Sequence, residues 1–579
     1  MTKFIFVSGG VISGVGKGVI TASLGKIMKQ HGYKTTLIKI DPYINYDAGT
    51  LRPTEHGEVW VTEDGGEIDQ DLGNYERFLN EDIPKHNNIT TGQIYKNVID
   101  RERRGDYLGK TVQFIPHILD EIKARILEAS KGYEIAIIEL GGTVGDYENT
   151  PYLFAIKSLQ LAIEYNDVAY VLVSYLPVPA HIQEMKTKPT QQAIRLLGAQ
   201  GILPNFIVCR SEKAIDNIRK EKIELFSNIA FDNIISAPDL NTIYRMPIHL
   251  EEQGVGKKIL KHFGLTSKVE PNWNTWQNLI TKIEKPKQRV RIAIVGKYLG
   301  IGDYSLTDSY ISIAQSLEHA GAADDVGVDI EWISADDVEQ NGFDTEKSFD
   351  GVIIPGGFGH TGITGKLNTI RHARENNIPF LGLCYGLQLA VIEHARNVCN
   401  MKGAHTTEVD PDTPYPVIDI IETQKDILKN KAYGGTMRLG SYPALVKKGT
   451  LIHSLYSRTQ DNKHISDSMI VTERHRHRYE VNPRYIDQLE QGKFKFSGHY
   501  TREDGTMLME FIELEEHRFF VATQAHPEFK SRFNNAHPLF SGFVRACNEY
   551  RKEQELLREL NCMTITDVVD MNVDKNCAS

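Results

Sequence analysis

Continuous apolar runs alternate with longer amphipathic stretches along the first 265 residues. The runs KFIFVSG, TTLIKID, EIAIIELGG, VAYVLVSY and NFIVCR lack the polar alternation of a half-exposed strand, as strands covered on both faces should. Crossover helices fill the stretches between them, so residues 1–265 are expected to form one α/β domain. From 266 to 290 the segment TSKVEPNWNTWQNLITKIEKPKQR has no strand-like run, contains two prolines and ends basic, and reads as a linker carrying one short helix. A second α/β pattern covers 291–555, with strands expected at VRIAIVGKY, FDGVIIPGG, IPFLGLCYG, YPVIDIIE and HRFFVATQAHPEF. The fold class is therefore α/β, two doubly wound parallel-sheet domains. Beyond the helical run RACNEYRKEQELLRELN the apolar periodicity stops, and 556–579 are expected to be a mobile tail.

With 41% hydrophobic and 25% charged residues over 579 positions, the chain has the material for two large cores. Its 66 basic and 76 acidic residues leave a net charge of -10, which disfavours nucleic acid and anionic membranes while permitting local phosphate pockets. No run approaches the roughly 20 apolar residues of a membrane span, and the opening MTKFIFVSGG does not have the form of a signal peptide. A cytoplasmic protein is expected. The six cysteines are scattered without a CxxC pair, which argues against disulfides and structural zinc.

Chemistry first appears where the strand KFIFVSGG meets VISGVGKG and a helix. Gly9, Gly10, Gly14, Gly16 and Gly18 surround Lys17 there, so backbone amides, a helix N-terminus and an ammonium group can converge on phosphates. The usual spacing is not met: Val11 stands at the first glycine position, and Gly18 replaces the Ser or Thr that normally meets magnesium. Acidic candidates for a magnesium ion are Glu139, which ends a buried strand, and Asp71, although Asp69 and Glu67 serve as well on sequence alone. Lys39 and Asp41 end the next strand. A second lysine-rich stretch, with Lys186, Lys188 and Gln191, suggests another polyphosphate.

In the second half, Cys384 stands between Gly382 and Gly386, after an apolar strand and before a helix. That is the pattern of a nucleophile elbow, with the sulfur at a helix N-terminus that favours the thiolate. His526 and, two positions on, Glu528 suit a general base oriented by a carboxylate, which completes a Cys–His–Glu triad. Backbone amides of Gly357 and of Tyr385 or Leu387 are candidate oxyanion donors.

With PGGFG before it and HPEF after it, GLCYGLQ resembles the class I glutamine amidotransferases, which release ammonia from glutamine. The first half, through SGGVISGVGKG, IKIDPYIN, DGGEIDQDLGNYERF, GDYLGKTVQ, ELGGTVGDYE and KTKPTQ, resembles the CTP synthase family, and the likeness covers nearly the whole chain. The resemblance implies a carbon–nitrogen ligase: ATP phosphorylates the 4-oxygen of UTP, and glutamine-derived ammonia then displaces the phosphate to give CTP. By matching motif it assigns Gly14, Val15, Gly16, Lys17, Gly18, Val19 and Asp71 to ATP, and Asp71 and Glu139 to the magnesium that accompanies it. Ser13, Lys39, Asp146, Glu148, Lys186, Gln191 and Lys222 fall to UTP or CTP, with Lys39 also meeting the phosphoryl group in flight. Gly357, Gln388, Glu408 and Arg478 fall to glutamine, the last two through its amino and carboxylate groups.

The resemblance further implies a homotetramer that can stack into filaments, activation by GTP, inhibition by the product CTP, and an enclosed ammonia passage with His56 along it. No organic prosthetic group is implied. Where the family's lid reads GGFGxRG, this chain has GGFGHTG, with Thr361 at the arginine position; His360, Arg438 and Lys110 are the candidate substitutes. Tyr385 stands where the family often has leucine. Two rival readings are a related ligase acting on a carboxylic acid, which KTKPTQ with GDYE disfavours, and a filament-forming regulatory protein, which intact Lys17, Glu139, Cys384, His526 and Glu528 disfavour.

Overall fold

The structure, a computed structural model, describes residues 2–52, 56–163, 165–297, 300–301, 304–305, 307–344, 347–420, 437–458, 463–465 and 468–575. The ends of VRIAIVGKY and YPVIDIIE, the start of GGTMRLG, 53–55 of PTEHGE and 576–579 lie outside these residues. The chain divides into two compact units, Met1–Ile280 with Arg532–Asn534, and Thr281–Ser531 with Asn535–Ser579. The division falls within the helix Asn274–Glu284, inside the stretch read as a linker.

The first unit is built on a seven-stranded sheet in the order Asn88–Thr90, Thr35–Asp41, Ile135–Leu140, Lys3–Gly9, Val168–Tyr175, Phe206–Ser211, Ile234–Pro238. Every pair is parallel. The apolar runs form its interior: all residues of Thr35–Asp41 and Ile135–Leu140 are buried, as helices on both faces require. On one face Phe6, Ile38, Ile138 and Leu172 pack with Ile122 and Ile156 from flanking helices. Each such side chain contributes about 1.5–3 kcal/mol on leaving water. The first strand lies in mid-sheet, and the chain winds away from it in both directions. That reversal opens a crevice at the C-terminal ends of the central strands, where this class of sheet binds ligands.

The second unit carries a ten-stranded sheet in the order Val326–Ser334, Gln288–Gly296, Gly351–Ile354, Phe380–Leu383, Phe520–Thr523, Met507–Leu514, Phe494–Thr501, Arg438–Lys447, Ser468–His477, Lys463–Ile465. The first five strands are parallel and flanked by helices. The other five join antiparallel. The doubly wound expectation therefore describes the parallel half, and the antiparallel half is a correction to it. Arg438–Lys447 and Ser468–His477 largely alternate buried and partly exposed positions, so they form no continuous apolar run.

A second correction concerns YPVIDIIE. Its strand, Pro416–Ile420, joins a separate three-stranded sheet with His405–Thr406 and Tyr479–Val481. Only Val417 and Ile418 are buried in it, so it lacks the continuous cover expected of a central strand. At the C-terminus the helix Pro538–Lys575 continues through most of the stretch expected as a tail. No glycine or proline stands between 543 and 575 to stop it. Apolar periodicity reports a buried face, and its loss does not end a helix.

Candidate functional site

In the first unit the loop after Lys3–Gly9 turns at Gly14 and Gly16, with φ +69° and +78°, a region that favours glycine. Gly16 starts the helix Lys17–Gln30, and no side chain caps the helix's first amides. They are left to point at an anion. Lys17 folds back over Gly9 and donates from Nζ to the Gly142 carbonyl at 2.7 Å. Burial lowers its pKa and Lys39 adds to this, while Glu139, Asp71 and Asp146 act in the opposite direction. The loop is braced from below by Arg210, which sequence reasoning missed. Its guanidinium donates to the carbonyls of Val15 at 3.3 Å, Ala237 at 2.7 Å and Pro238 at 2.8 Å, and to Asp239 Oδ1 at 2.7 Å. Arg210 also ends a buried strand, the signal that selected Glu139.

The parallel register sets Lys39 beside Glu139 on adjacent strands. The Lys39 ammonium is buried, paired with Asp71 and with Glu139 Oε1 at 3.0 Å, and lies 3.8 Å from Asp41 Oδ1. Tyr75 donates its hydroxyl to the other oxygen of Glu139. Burial alone would lower the Lys39 pKa, but Asp71, Glu139 and Asp41 hold it well above the ordinary value. Burial pushes Asp41 up to about 6. Burial, then Asp71, pushes Asp69 up to about 8.

Of the three acidic candidates in GGEIDQD, Glu67 faces Gly49, where an added Cβ would lie 2.3 Å from its Oε2. Asp69 accepts the Asp71 amide at 3.2 Å. Asp71 alone reaches both Lys39 and the phosphate-loop helix, with its Oδ1 2.3 Å from where a Gly18 Cβ would stand. Glycine at 18 thus makes room for the carboxylate. Asp71 and Glu139 share one buried ammonium with Asp41 close by, an excess of hard oxygen donors that fits a magnesium ion. Among the described residues no three His, Cys, Asp or Glu side chains form a metal cluster. Magnesium beside a nucleotide needs only one or two carboxylates and takes its other ligands from phosphates and water.

Asp146 accepts from the Thr143 amide at 2.5 Å and from its hydroxyl at 2.8 Å, fixing its own turn while acting electrostatically on Lys17. Lys186 pairs with Glu184 at 2.6 Å, and Gln191 donates to Thr187 at 3.1 Å. Ser13, Glu148 and Lys222 are exposed. No described hydrogen bond or ion pair draws Ser13, Glu148, Lys186, Gln191 or Lys222 into the Lys17–Lys39 cluster. Val15 is buried and Val19 half-buried at the helix start. His56 meets the Tyr43 ring edge-on at 6.4 Å.

In the second unit Gly351–Ile354, Phe380–Leu383 and Phe520–Thr523 are adjacent parallel strands, so the residues following them emerge side by side. Cys384 follows the middle strand with φ +50° and ψ −99°, a strained conformation for a side chain with a Cβ. Its neighbours must be small. A Cβ on Gly386 would lie 2.3 Å from the Ile354 carbonyl, and one on Gly382 would lie 2.8 Å from Ala522 Cβ. A Cβ on Gly356 would fall 2.9 Å from His526 Cε1 and 3.7 Å from Cys384 Cβ. Cys384, the glycine turn and His526 thus meet in a few ångströms.

His526 Nδ1 is 2.7 Å from Glu528 Oε1, and the His526 ring stacks on Phe529 at 5.1 Å. Burial works against the imidazolium, but Glu528 and then Cys384 outweigh it and raise the His526 pKa to about 10. The Cys384 Sγ lies 4.0 Å from the Arg476 carbonyl and receives the Gln524 amide at 3.7 Å. Gln524, a polar residue two before the histidine, was also missed. Of the two oxyanion donors considered beyond the elbow, the Leu387 amide is committed to the Cys384 carbonyl at 3.0 Å. Tyr385, the first residue of the helix Tyr385–Asn397, remains.

Gln388 donates to the Tyr479 carbonyl at 3.0 Å and to Gln524 at 3.3 Å. Glu408, its carboxyl pushed up by burial, accepts the Gly359 amide at 3.1 Å. Gly357 and Arg478 are half-buried. Arg438 is removed as a substitute for the lid arginine. It is buried, bound to Glu480 at 3.1 Å and Glu510 at 2.6 Å, and stacked on Tyr442 and Tyr500. His360, Thr361 and Lys110 are exposed.

Residues 3–265 match the family described as CTP synthase N-terminus, and residues 305–546 match glutamine amidotransferase class-I. The chain is 51% identical over 555 residues to a CTP synthase of Pyrococcus abyssi, covering 96% of this chain and 99% of the relative. To a CTP synthase of Methanocaldococcus jannaschii it is 49% identical over 551 residues, covering 94% and 98%. Among solved structures, the glutaminase domain of Trypanosoma brucei CTPS with bound acivicin is 34% identical, covers 45% of this chain and 94% of its own, and aligns with a TM-score of 0.39. Among the described residues no helix is long and apolar enough to cross a membrane.

Proposed function

The chain belongs to the CTP synthase family, and from that membership we propose how its two units divide the reaction. The family makes it a nucleotide-dependent, glutamine-hydrolysing ligase of pyrimidine nucleotide biosynthesis. In the second unit Cys384 attacks the glutamine amide, and the amides of Gly357 and Tyr385 meet the developing oxyanion. His526, held protonated toward Glu528, gives a proton to the departing ammonia. Water then releases glutamate from the thioester. Gln388, Glu408 and Arg478 hold the substrate.

In the first unit Lys17, the loop Gly14–Val19 and the helix N-terminus hold the ATP phosphates. A magnesium ion held by Asp71 and Glu139 would neutralise phosphate charge there. Lys39 faces the phosphoryl group as it passes to the UTP 4-oxygen. Ammonia attacks C4 and phosphate leaves, giving CTP, ADP and phosphate. Ser13, Asp146, Glu148, Lys186, Gln191 and Lys222 bind the pyrimidine nucleotide. GTP activation, CTP inhibition, a tetramer that stacks into filaments and a cytoplasmic location belong to the same reading.

The observation that supports it most is the meeting of Cys384, His526 and Glu528 with the Gly356–Gly357 turn. The test follows the absorbance change of UTP to CTP with ATP, magnesium and either glutamine or ammonia, with and without GTP. CTP from both nitrogen sources is expected. No CTP even with ammonia would overturn the reading.

A further inference from the structure

The lid loop between Gly356 and Gly362 lacks the family's arginine, yet three elements tie it down at two consecutive residues. Lys297 Nζ donates to the Phe358 carbonyl at 2.9 Å. The Gly359 amide is taken by Glu408. The Gly359 carbonyl accepts the Tyr385 hydroxyl at 3.2 Å. Gly359 itself adopts φ +81°, so the loop makes a tight bend at the tied residue.

Tyr385 is fixed on its own side as well. It is 2% exposed, and the ammonium of Lys366, itself 1% exposed and with no described hydrogen bond or ion pair of its own, lies over its ring at 5.4 Å. The hydroxyl therefore has little freedom to leave the lid. Tyr385 also directly follows Cys384, so one residue connects the nucleophile elbow to the loop whose first residue, Gly356, faces Cys384 and His526.

We propose that Tyr385 is a positioning residue whose hydroxyl latches the lid loop over Cys384 and keeps the Gly357 amide aimed at the oxyanion. A leucine at this place has no such hydrogen bond to offer. The latch sets the turn before any activator binds. The inference rests on the glutaminase reading of this site.

The test is Tyr385→Phe in the full chain, which keeps the ring beneath Lys366 and removes only the hydroxyl. Glutamate release from glutamine, measured directly, is expected to fall about tenfold in kcat with KM changed little, the effect of losing one positioning hydrogen bond. Alkylation of Cys384 by iodoacetamide, which needs no oxyanion donor, is expected to keep its rate. GTP is expected to stimulate the variant more than the parent. Unchanged kcat with unchanged alkylation would overturn the latch. So would slowed alkylation in step with kcat, since that marks a general distortion of the elbow. If Tyr385→Phe does not fold, Lys297→Met cuts the neighbouring tie from a half-exposed position and is read in the same way. Failure of the parent chain to release glutamate at all would instead overturn the glutaminase reading.

Discussion

Gly18 and Asp71 compete for one space: a Cβ on Gly18 would stand 2.3 Å from Asp71 Oδ1. The phosphate loop therefore carries a glycine where related loops carry a hydroxyl, and the carboxylate occupies the ground that a Ser or Thr would hold. Restoring the commoner residue with Gly18→Ser should push Asp71 away from Lys39. Ammonia-supported CTP formation is expected to fall about 10²-fold, as for an ångström-scale misplacement at a reacting centre. Glutamate release should survive. An unchanged ligase rate would show that Asp71 is not needed where it stands.

Cys384→Ala removes the proposed nucleophile and leaves the first unit untouched. Glutamine-dependent CTP formation should drop below detection while ammonia-dependent formation persists. Loss of both in a folded variant would refute the division of labour between the units.

Glu528→Gln removes the largest influence holding the His526 proton. A raised histidine pKa contributes stability that is complete below the unfolded value of about 6.5 and is lost as pH rises through the folded one. In this chain the window runs from that value to about 10. The variant should lose its stabilisation at lower pH, which melting temperatures between pH 6 and pH 10 would show. Glutamate release should fall about 10²-fold, the usual scale for a positioned acid or base. A melting profile parallel to the parent's would remove Glu528 from this role.

Lys366 has the reverse sign. Burial, with Lys297 adding and Asp336 opposing, lowers its pKa to about 7. Between pH 7 and about 10.4 the unfolded chain binds more protons than the folded one, so stability rises with pH across that window. Lys366→Met should raise stability by on the order of 1–3 kcal/mol. The gain should be full below pH 7 and shrink toward pH 10. Denaturant titrations at pH 6.5 and 9.5 check it, and a gain that grows with pH contradicts it.

Strands covered on both faces and motifs confined to one turn were readable before any coordinates. KFIFVSG and EIAIIEL announce themselves as uninterrupted apolar runs, and Lys17, Cys384 and His526 with Glu528 stand in short local patterns. The antiparallel half of the second sheet was not, because charged residues interrupt the apolar signal in Arg438–Lys447 and Ser468–His477, even at buried positions such as Arg438, Glu473 and Arg474. Choosing among Glu67, Asp69 and Asp71 needed three dimensions, since only the fold turns one toward Lys39. Arg210 and Gln524 were hidden for a related reason. Each acts through backbone carbonyls or a sulfur contributed by segments remote in sequence, and such partners leave no local pattern.

The strand Phe520–Thr523 pairs parallel with Phe380–Leu383 on one side and antiparallel with Met507–Leu514 on the other. It is the seam of the second sheet, and it delivers His526 only after nearly the whole unit has been synthesised. A nascent chain that has emerged past Cys384 still lacks the His526 and Glu528 that stand beside it in the folded unit. On the proposed reading, any chain that ends before residue 526 lacks the proton carrier for glutamine hydrolysis, however well its parallel strands pair.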